Sequence, residues 1–317
     1  MAGEGTYQWS LDDDSLKKAA KELNEDSKQR ASQIDSLRTW VKKQPHITSR
    51  TDDAFLLRFL RTSKFSMLRA QQMLDKFCTV RSSQEKGVPL WFKDLDPEDP
   101  KILELLDIGT CLPLPGRDDQ NRKVMLYRTG AFDPKVHDFS DVMRLGFITT
   151  DILLMDELNQ IHGFVILLDF SEFGMSHVTC WGPDTVSKAM MCWQDCYPTR
   201  NKAINYYNTP TLFNVVFELF KLVMKEKYKQ RLHFHWSSQE SLHKQVPQRM
   251  LPTYMGGTAG TLQEIIQDWK VHVLKNKEEI SRNARCAVDE EKRPAPEKDG
   301  SEGGWGIVGS FRKLALD

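Results

Sequence analysis

Apolar residues near the start of the chain recur at helical spacing. In SLDDDSLKKAAKELNEDSKQRASQIDSLRTWVKKQ (residues 10–44), Leu23, Ile34, Leu37 and Val41 fall on one seam, and acidic residues crowd the beginning, where a helix N-terminus favours them. The pattern predicts a helix running on from Ser10 or Asp12, preceded by a loose end. Two shorter helices follow in TDDAFLLRFLRTSKF, with Thr51 or Asp52 as cap, and in SMLRAQQMLDKFCTVRSSQ, with Ser66 as cap. The prolines of PLWFKDLDPEDP mark a connector. Residues 10–95 therefore read as a helical lobe.

The rhythm then changes. KVMLYRT (123–129), GFVILLDF (163–170), KAINYYN (202–208) and RLHFHW (231–236) are apolar runs of strand length, separated by long helical patterns. Such alternation predicts right-handed crossovers onto a mostly parallel sheet covered by helices over residues 105–280. GFVILLDF is apolar on both alternating faces, as a central buried strand should be. A last helix is expected near 262–280. Residues 281–317 read as a partly disordered tail, because AVDEEKRPAPEKDGSEGG is charged and proline-bearing; WGIVGSFRKLALD ends it.

One helix is too apolar for an ordinary surface element. In TPTLFNVVFELFKLVMKEKY (209–228), Thr209 and Pro210 read as cap and first helical position. Asn214, Glu218, Lys221 and Lys225 form one narrow polar stripe, and nearly everything else through Met224 is apolar. A helix buried on one side needs an apolar arc of about 100°; this one exceeds half its circumference. It is either a core helix or a lid over an apolar ligand, in which Phe213, Val216, Phe217 and Phe220 are the gate residues. The basic run KEKYKQR follows directly. SDVMRLGFITTDILLMDEL is similarly apolar, so the helices enclose either a large core or a core with a hole.

Composition narrows the function. Lys plus Arg equals Asp plus Glu at 44 each, so no global field attracts nucleic acid, and attraction to an anionic surface must be local. No run approaches the roughly 18 apolar residues of a membrane span. The N-terminus has no stretch a secretory leader could use, and the six cysteines lack metal or disulfide-framework spacing; both point to a cytoplasmic, peripherally membrane-associated monomer. Catalytic signatures are missing: no nucleophile elbow, phosphate loop, zinc helix or dinucleotide fingerprint occurs. Gly256-Gly257 reads as a tight turn, His233 and His235 as hydrogen-bonded strand residues, and Cys192 and Cys196 as small buried hydrophobes. Asp169, at the end of the central strand, stands without a partner. The chain is therefore read as a non-enzyme without cofactor or metal. Two alternatives stay open: a lipid-sensing signalling adaptor that contacts its partner through the C-terminal motif, and a lipid-modifying enzyme using Asp169 or the histidines.

LKKAAKELNED, DDAFLLRFLRTSKF, GFVILLDFSEFGMSH, NTPTLFNVVFELFKLVMKEKYKQRLHFH and LPTYMGG together resemble the CRAL-TRIO lipid-exchange family, over roughly residues 15–280 and most closely its tocopherol- and retinaldehyde-carrying branch. The resemblance implies a helical lobe, an α/β lobe with a hydrophobic cavity and a gating helix matching 209–224. It implies a carrier that takes up one hydrophobic lipid, tocopherol-, retinoid- or carotenoid-like, and exchanges it at phosphoinositide-containing membranes. By position, the cavity residues are Met143, Gly146, Thr150, Phe164, Leu168, Ala189, Cys192, Trp193 and Ile204, and the phosphoinositide-binding residues are Lys64, Arg200, Lys227 and Arg231. Ser63 stands where the family has a basic residue, with Lys64 beside it. Gly146 and Ala189 are smaller and Trp193 bulkier than the family pattern, which implies a reshaped cavity. The family's L-P-x-E-x-G-G has its acid replaced by Tyr254, and the proline usual in mid-gate is missing, which implies an uninterrupted, stiffer gate helix.

Overall fold

The first helical seam folds as two helices. In the computed structural model, which describes residues 11–82, 90–93 and 95–294, α1 (Asp13–Leu23) stops at Asn24, whose backbone is left-handed (φ 62°), and α2 (Arg30–Lys43) starts afresh. Asparagine accepts that conformation more readily than most residues, so it interrupts a pattern that periodicity alone would carry through. Asp12 caps α1 by accepting from the Ser15 N–H at 2.7 Å. The strand β1 (Ile47–Thr48) leads to α3 (Asp53–Thr62), capped by Asp52, and to α4 (Met67–Thr79), where the Ser66 side chain makes no capping bond despite its position. The loose end expected at residues 1–10 lies outside the described residues.

The second part contains α5 (Pro100–Ile108), β2 (Cys111–Pro113), β3 (Lys123–Arg128), α6 (Phe139–Leu153), α7 (Glu157–His162), β4 (Phe164–Asp169), α8 (Met175–Val178) and α9 (Pro183–Met191). A π-helical turn, Cys192–Cys196, extends α9. Then come β5 (Asn201–Tyr207), α10 (Phe213–Val223), α11 (Glu226–Lys229), β6 (Leu232–Trp236), α12 (Gln239–His243), α13 (Leu262–Lys275), α14 (Lys277–Ala284) and β7 (Ala287–Val288). The main sheet has the order β2-β3-β4-β5-β6; β2 is antiparallel to β3 and the rest are parallel. This is the mostly parallel, helix-covered α/β architecture that the strand–helix alternation predicts.

Two features of the packing bear on how the chain is organised. Helices α2, α3 and α4 share one continuous core with α5, α6 and α13, while Ala19 and Leu23 of α1 pack on Ile161. Phe77 meets Tyr197 at 5.5 Å and Phe92 meets Phe147 at 4.4 Å, both across the expected lobe boundary. The region after residue 281 also begins inside the fold: β7 pairs antiparallel with β1, Val288 opposite Ile47, because Cys286 and Val288 are apolar enough to be buried. Residues 295–317, with the WGIVGSFRKLALD motif, lie outside the described residues.

Strand alternation divides the sheet into two unlike faces. Val124, Leu126, Val165, Leu167 and Ala203 pack against Leu242, Val246, Met250 and Met255 in a tight layer. Met125, Tyr127, Ile166, Leu168, Ile204 and Tyr206 point the other way, toward α6, α9 and α10, and there packing is incomplete.

Candidate functional site

A cavity of about 180 Å³ lies between that second face and α6, α9 and α10. A single buried water needs only about 10–15 Å³, so this space exceeds a packing defect by an order of magnitude. Its wall is built from aromatic and aliphatic side chains with a few hydroxyls and amides, and Arg128, at the end of β3, is the one charged residue on it among the described residues. Tyr127, Ile166, Leu168 and Ile204 keep accessible surface although they sit in mid-sheet; that surface faces the cavity. Burial, with Cys111 adding to it, pushes the Tyr127 phenol well above its ordinary pKa, so the wall stays neutral there.

Of the residues singled out from sequence, Met143, Gly146, Thr150, Phe164, Leu168, Trp193 and Ile204 line this cavity. Ala189 and Cys192 do not: both are fully buried in the main core. Ala189 lies on the core-facing side of α9, and Cys192 opens the π turn, which the Tyr197 N–H closes by donating to the Cys192 carbonyl at 3.0 Å. A π turn adds a residue to the helical repeat, which rotates Trp193 and Gln194 toward the cavity and leaves Cys192 facing away.

The apolar helix 209–224 closes one side of the cavity. Phe213, Val216 and Phe220 face inward and line it, whereas Phe217 packs beside it, its ring 5.8 Å from Tyr206 and 5.2 Å from Phe234. Asn214 and Glu218 face solvent, as the polar stripe requires, but so do Val215, 64% exposed, and Leu222, 82% exposed. The helix thus carries an apolar crest on its outer side. Its start differs from expectation. Phe213 N–H donates to the Pro210 carbonyl and Asn214 N–H to that of Thr211, so residues 210–212 form a turn, the helix begins at Phe213, and the Thr209 hydroxyl caps nothing.

Its end differs as well, and here a residue that sequence reasoning missed is decisive. Without a proline, α10 still stops at Val223, and Met224 and Lys225 are extended. The Gln194 side chain holds this break: its amide Nε2 donates to the Val223 carbonyl at 3.1 Å and its Oε1 accepts from the Lys225 N–H at 2.8 Å. A glutamine on the neighbouring π turn thus holds the end of α10 from outside the helix. No local signal marks Gln194, because its partners lie about thirty positions away. Each neutral hydrogen bond contributes about 0.5–1.5 kcal/mol. Gln194→Ala is therefore expected to speed amide exchange in α10 and residues 224–225 by roughly ten- to hundredfold, with β4 unchanged. Equal exchange in the two proteins would show that Gln194 does not hold the end of α10.

The four basic residues differ in their freedom. Arg200 is clipped into the structure: it donates to the Ile161 carbonyl, and its Nη2 lies 2.9 Å from Glu22 on α1. Burial works to raise the Glu22 pKa, but hydrogen bonds from Lys202 and Arg200 outweigh it and hold the carboxyl at about 2. Arg231 donates to the Asn201 carbonyl. Lys64 and Lys227 are exposed and make no ion pair among the described residues. Partial desolvation of its ammonium, together with the charges of Lys225, Arg231 and Arg69, holds the exposed Lys227 below its ordinary pKa, which marks a cluster of like charge beside the end of α10. The Thr62 hydroxyl donates to the Pro198 carbonyl at 2.8 Å, bringing the Lys64 loop against the segment that carries Arg200.

The other candidate groups are tied up locally. Asp169 accepts from the Ser171 N–H and hydroxyl, the Asn208 amide and the Tyr254 hydroxyl, all within 3.0 Å. The tyrosine that replaces the family's acid thus docks on Asp169. The His235 ring is buried between Asn205 and Ser241, at 2.9 and 2.8 Å. Among the described residues, no group of His, Cys, Asp and Glu could hold a metal.

Comparison with known proteins gives two family matches: the CRAL/TRIO domain over residues 109–257 and the Pinta-like UBA domain over residues 26–102. The chain is 33% identical to alpha-tocopherol transfer protein-like of Mus musculus, over 86% of this chain and 78% of that one. It is 34% identical to the Homo sapiens protein of the same name, over 81% and 73%. With clavesin-1 of Rattus norvegicus the identity is 31%, over 79% and 70%.

Proposed function

The chain belongs to the CRAL/TRIO family, and from that premise we propose that it carries one hydrophobic lipid in the cavity and exchanges it at anionic, phosphoinositide-containing membranes. The observation that carries this reading is an apolar cavity closed by one helix with an apolar outer crest. Met143, Gly146, Thr150, Phe164, Leu168, Trp193 and Ile204 would touch the ligand, and Phe213, Val216 and Phe220 would cover it. A tocopherol-, retinoid- or carotenoid-like molecule with about 400 Å² of apolar surface gains on the order of 10 kcal/mol by staying out of water. Escape through solvent is then negligible. Exchange requires the lid to open against a membrane, where the crest residues Val215 and Leu222 find an apolar phase and stabilise the open state.

The basic cluster supplies the approach. Each Lys or Arg near an anionic surface adds about 1 kcal/mol, so the few cations around the hinge hold the protein briefly. Native mass spectrometry of the purified protein tests the cargo: one stoichiometric lipid is expected, and a uniformly ligand-free protein would sink the carrier reading. Vesicle transfer tests the docking. Lys64→Glu with Lys227→Glu is the informative pair, because reversing Arg200 or Arg231 would also break internal contacts. Transfer to vesicles containing a phosphoinositide is expected to slow by roughly tenfold at low salt, with screening at high salt reducing the difference. Equal slowing with uncharged vesicles would count against electrostatic docking.

A further inference from the structure

The sheet ends at β6, and β6 ends in an unusual residue. Trp236 is 61% exposed and its backbone is left-handed, φ 52°. A bulky side chain at positive φ is a genuine outlier, and such strain persists where the surroundings impose it, most often at functional positions. Packing does not account for it here, because most of the ring is in solvent. The local cause is a register break: Tyr206 pairs with Phe234 but Tyr207 pairs with Trp236, so His235 is passed over. The His235 ring turns inward to Asn205 and Ser241, and Trp236 is left at the exposed edge.

Trp236 continues an aromatic row that begins on the lid. Phe217 of α10 meets Phe234 at 5.2 Å, and Phe234 lies 6.2 Å from Trp236 and stacks on Tyr206 at 4.7 Å. The segment that enters β6 is strongly basic: Lys225, Lys227, Lys229 and Arg231 occur within seven residues that hold a single acid, Glu226. Among the described residues, no strand pairs with the outer edge of β6. A bulge and nearby lysines blunt an edge against pairing with another strand, whereas an aromatic row with Lys221 over its Phe217 ring at 5.3 Å, on a strand that a basic segment enters, suits the headgroup level of an anionic bilayer.

We infer that Trp236 and Phe234 form a fixed membrane anchor at the edge of the sheet, entering the interfacial layer of an anionic bilayer beside the gate. The inference rests on the carrier reading and adds to it. A lid that is the only membrane contact would move that contact as it opens. An anchor on β6 stays still while α10 swings, and so keeps the cavity mouth against the bilayer throughout exchange.

The test uses the full-length protein and vesicles of phosphatidylcholine with and without phosphatidylserine, with binding read by co-sedimentation. Trp236→Asn suits it because asparagine accepts positive φ, so thermal stability is expected to hold or rise. Its partition onto phosphatidylserine vesicles is expected to fall about five- to tenfold, while Trp236→Phe retains most of the binding. Co-purified lipid should be unchanged in both. If the parent binds these vesicles and Trp236→Asn binds equally well, the anchor is wrong and the carrier reading stands. A parent that binds no vesicles under any condition overturns both. A parent dimer that Trp236→Asn converts to monomer in sedimentation velocity would identify the surface as a self-association face and overturn the anchor.

Discussion

Gly146→Phe is expected to empty the cavity of lipid while the protein remains folded. Gly146 lies within α6 and faces the cavity, and a Cβ there would meet only the Tyr127 ring, at 3.8 Å. That is an ordinary contact, so the backbone tolerates a side chain without shifting. Alanine should bind lipid much as the parent does and gain about 0.5–1 kcal/mol, because glycine is unfavourable within a helix. A phenyl ring instead projects into the space a ligand must share with Thr150, Met143 and Leu168. Overpacking by even a few methylenes costs about 1–3 kcal/mol, and a whole ring exceeds that, so lipid retention should fall by more than about a hundredfold. Native mass spectrometry reads the loss directly, and an unchanged circular dichroism spectrum shows the fold is intact. A fully loaded Gly146→Phe protein would place the ligand elsewhere.

The largest stability effect is expected at Asp151→Ala. Asp151, fully buried on α6, accepts from Arg81 Nη2 at 3.0 and 3.2 Å, and the same nitrogen donates to the Tyr197 hydroxyl at 2.6 Å. The guanidinium also lies over the Phe77 ring, 3.5 Å from its centroid. Burial works against the Arg81 charge, but Tyr197 and Asp151 outweigh it and hold its pKa above the ordinary value. Removing the carboxylate leaves a buried cation with no counter-charge, a loss of about 3–5 kcal/mol. Urea denaturation should show that loss, and Arg81→Met combined with Asp151→Leu should recover much of it, because an apolar pair leaves no buried charge. A loss below about 1 kcal/mol would mean that water reaches Arg81 in the variant. Tyr197 lines the cavity, so this cluster also ties α4 to the cavity wall, and ligand retention should weaken alongside stability.

The chain carries its fold class openly. Parallel strands covered on both faces must be apolar along their length, and GFVILLDF shows it without any partner in view, whereas RLHFHW, with its two histidines, is the exposed edge strand. The excess of apolar residues on α10 is equally local and marks the helix that closes the cavity. Periodicity misleads where one residue breaks a repeat: Asn24 divides a seam that otherwise continues, and the Cys192–Cys196 π turn moves Cys192 out of the cavity wall while bringing Gln194 into it. The Thr209-Pro210 signature fails because the turn bonds of Phe213 and Asn214 start the helix later.

What the sequence by itself determined is which segments bury both faces, which helix is too apolar to lie idle, and where positive charge accumulates. These follow from side-chain type and spacing within a few residues. Only the tertiary structure decided which sheet face is left unfilled, that Gln194 holds the end of α10, that Glu22 occupies Arg200, and that Trp236 stands out at the sheet edge. The reason is physical. A cavity is what remains after helices dock at particular angles, and hydrogen-bond partners drawn from distant elements leave no trace in the local pattern of either one.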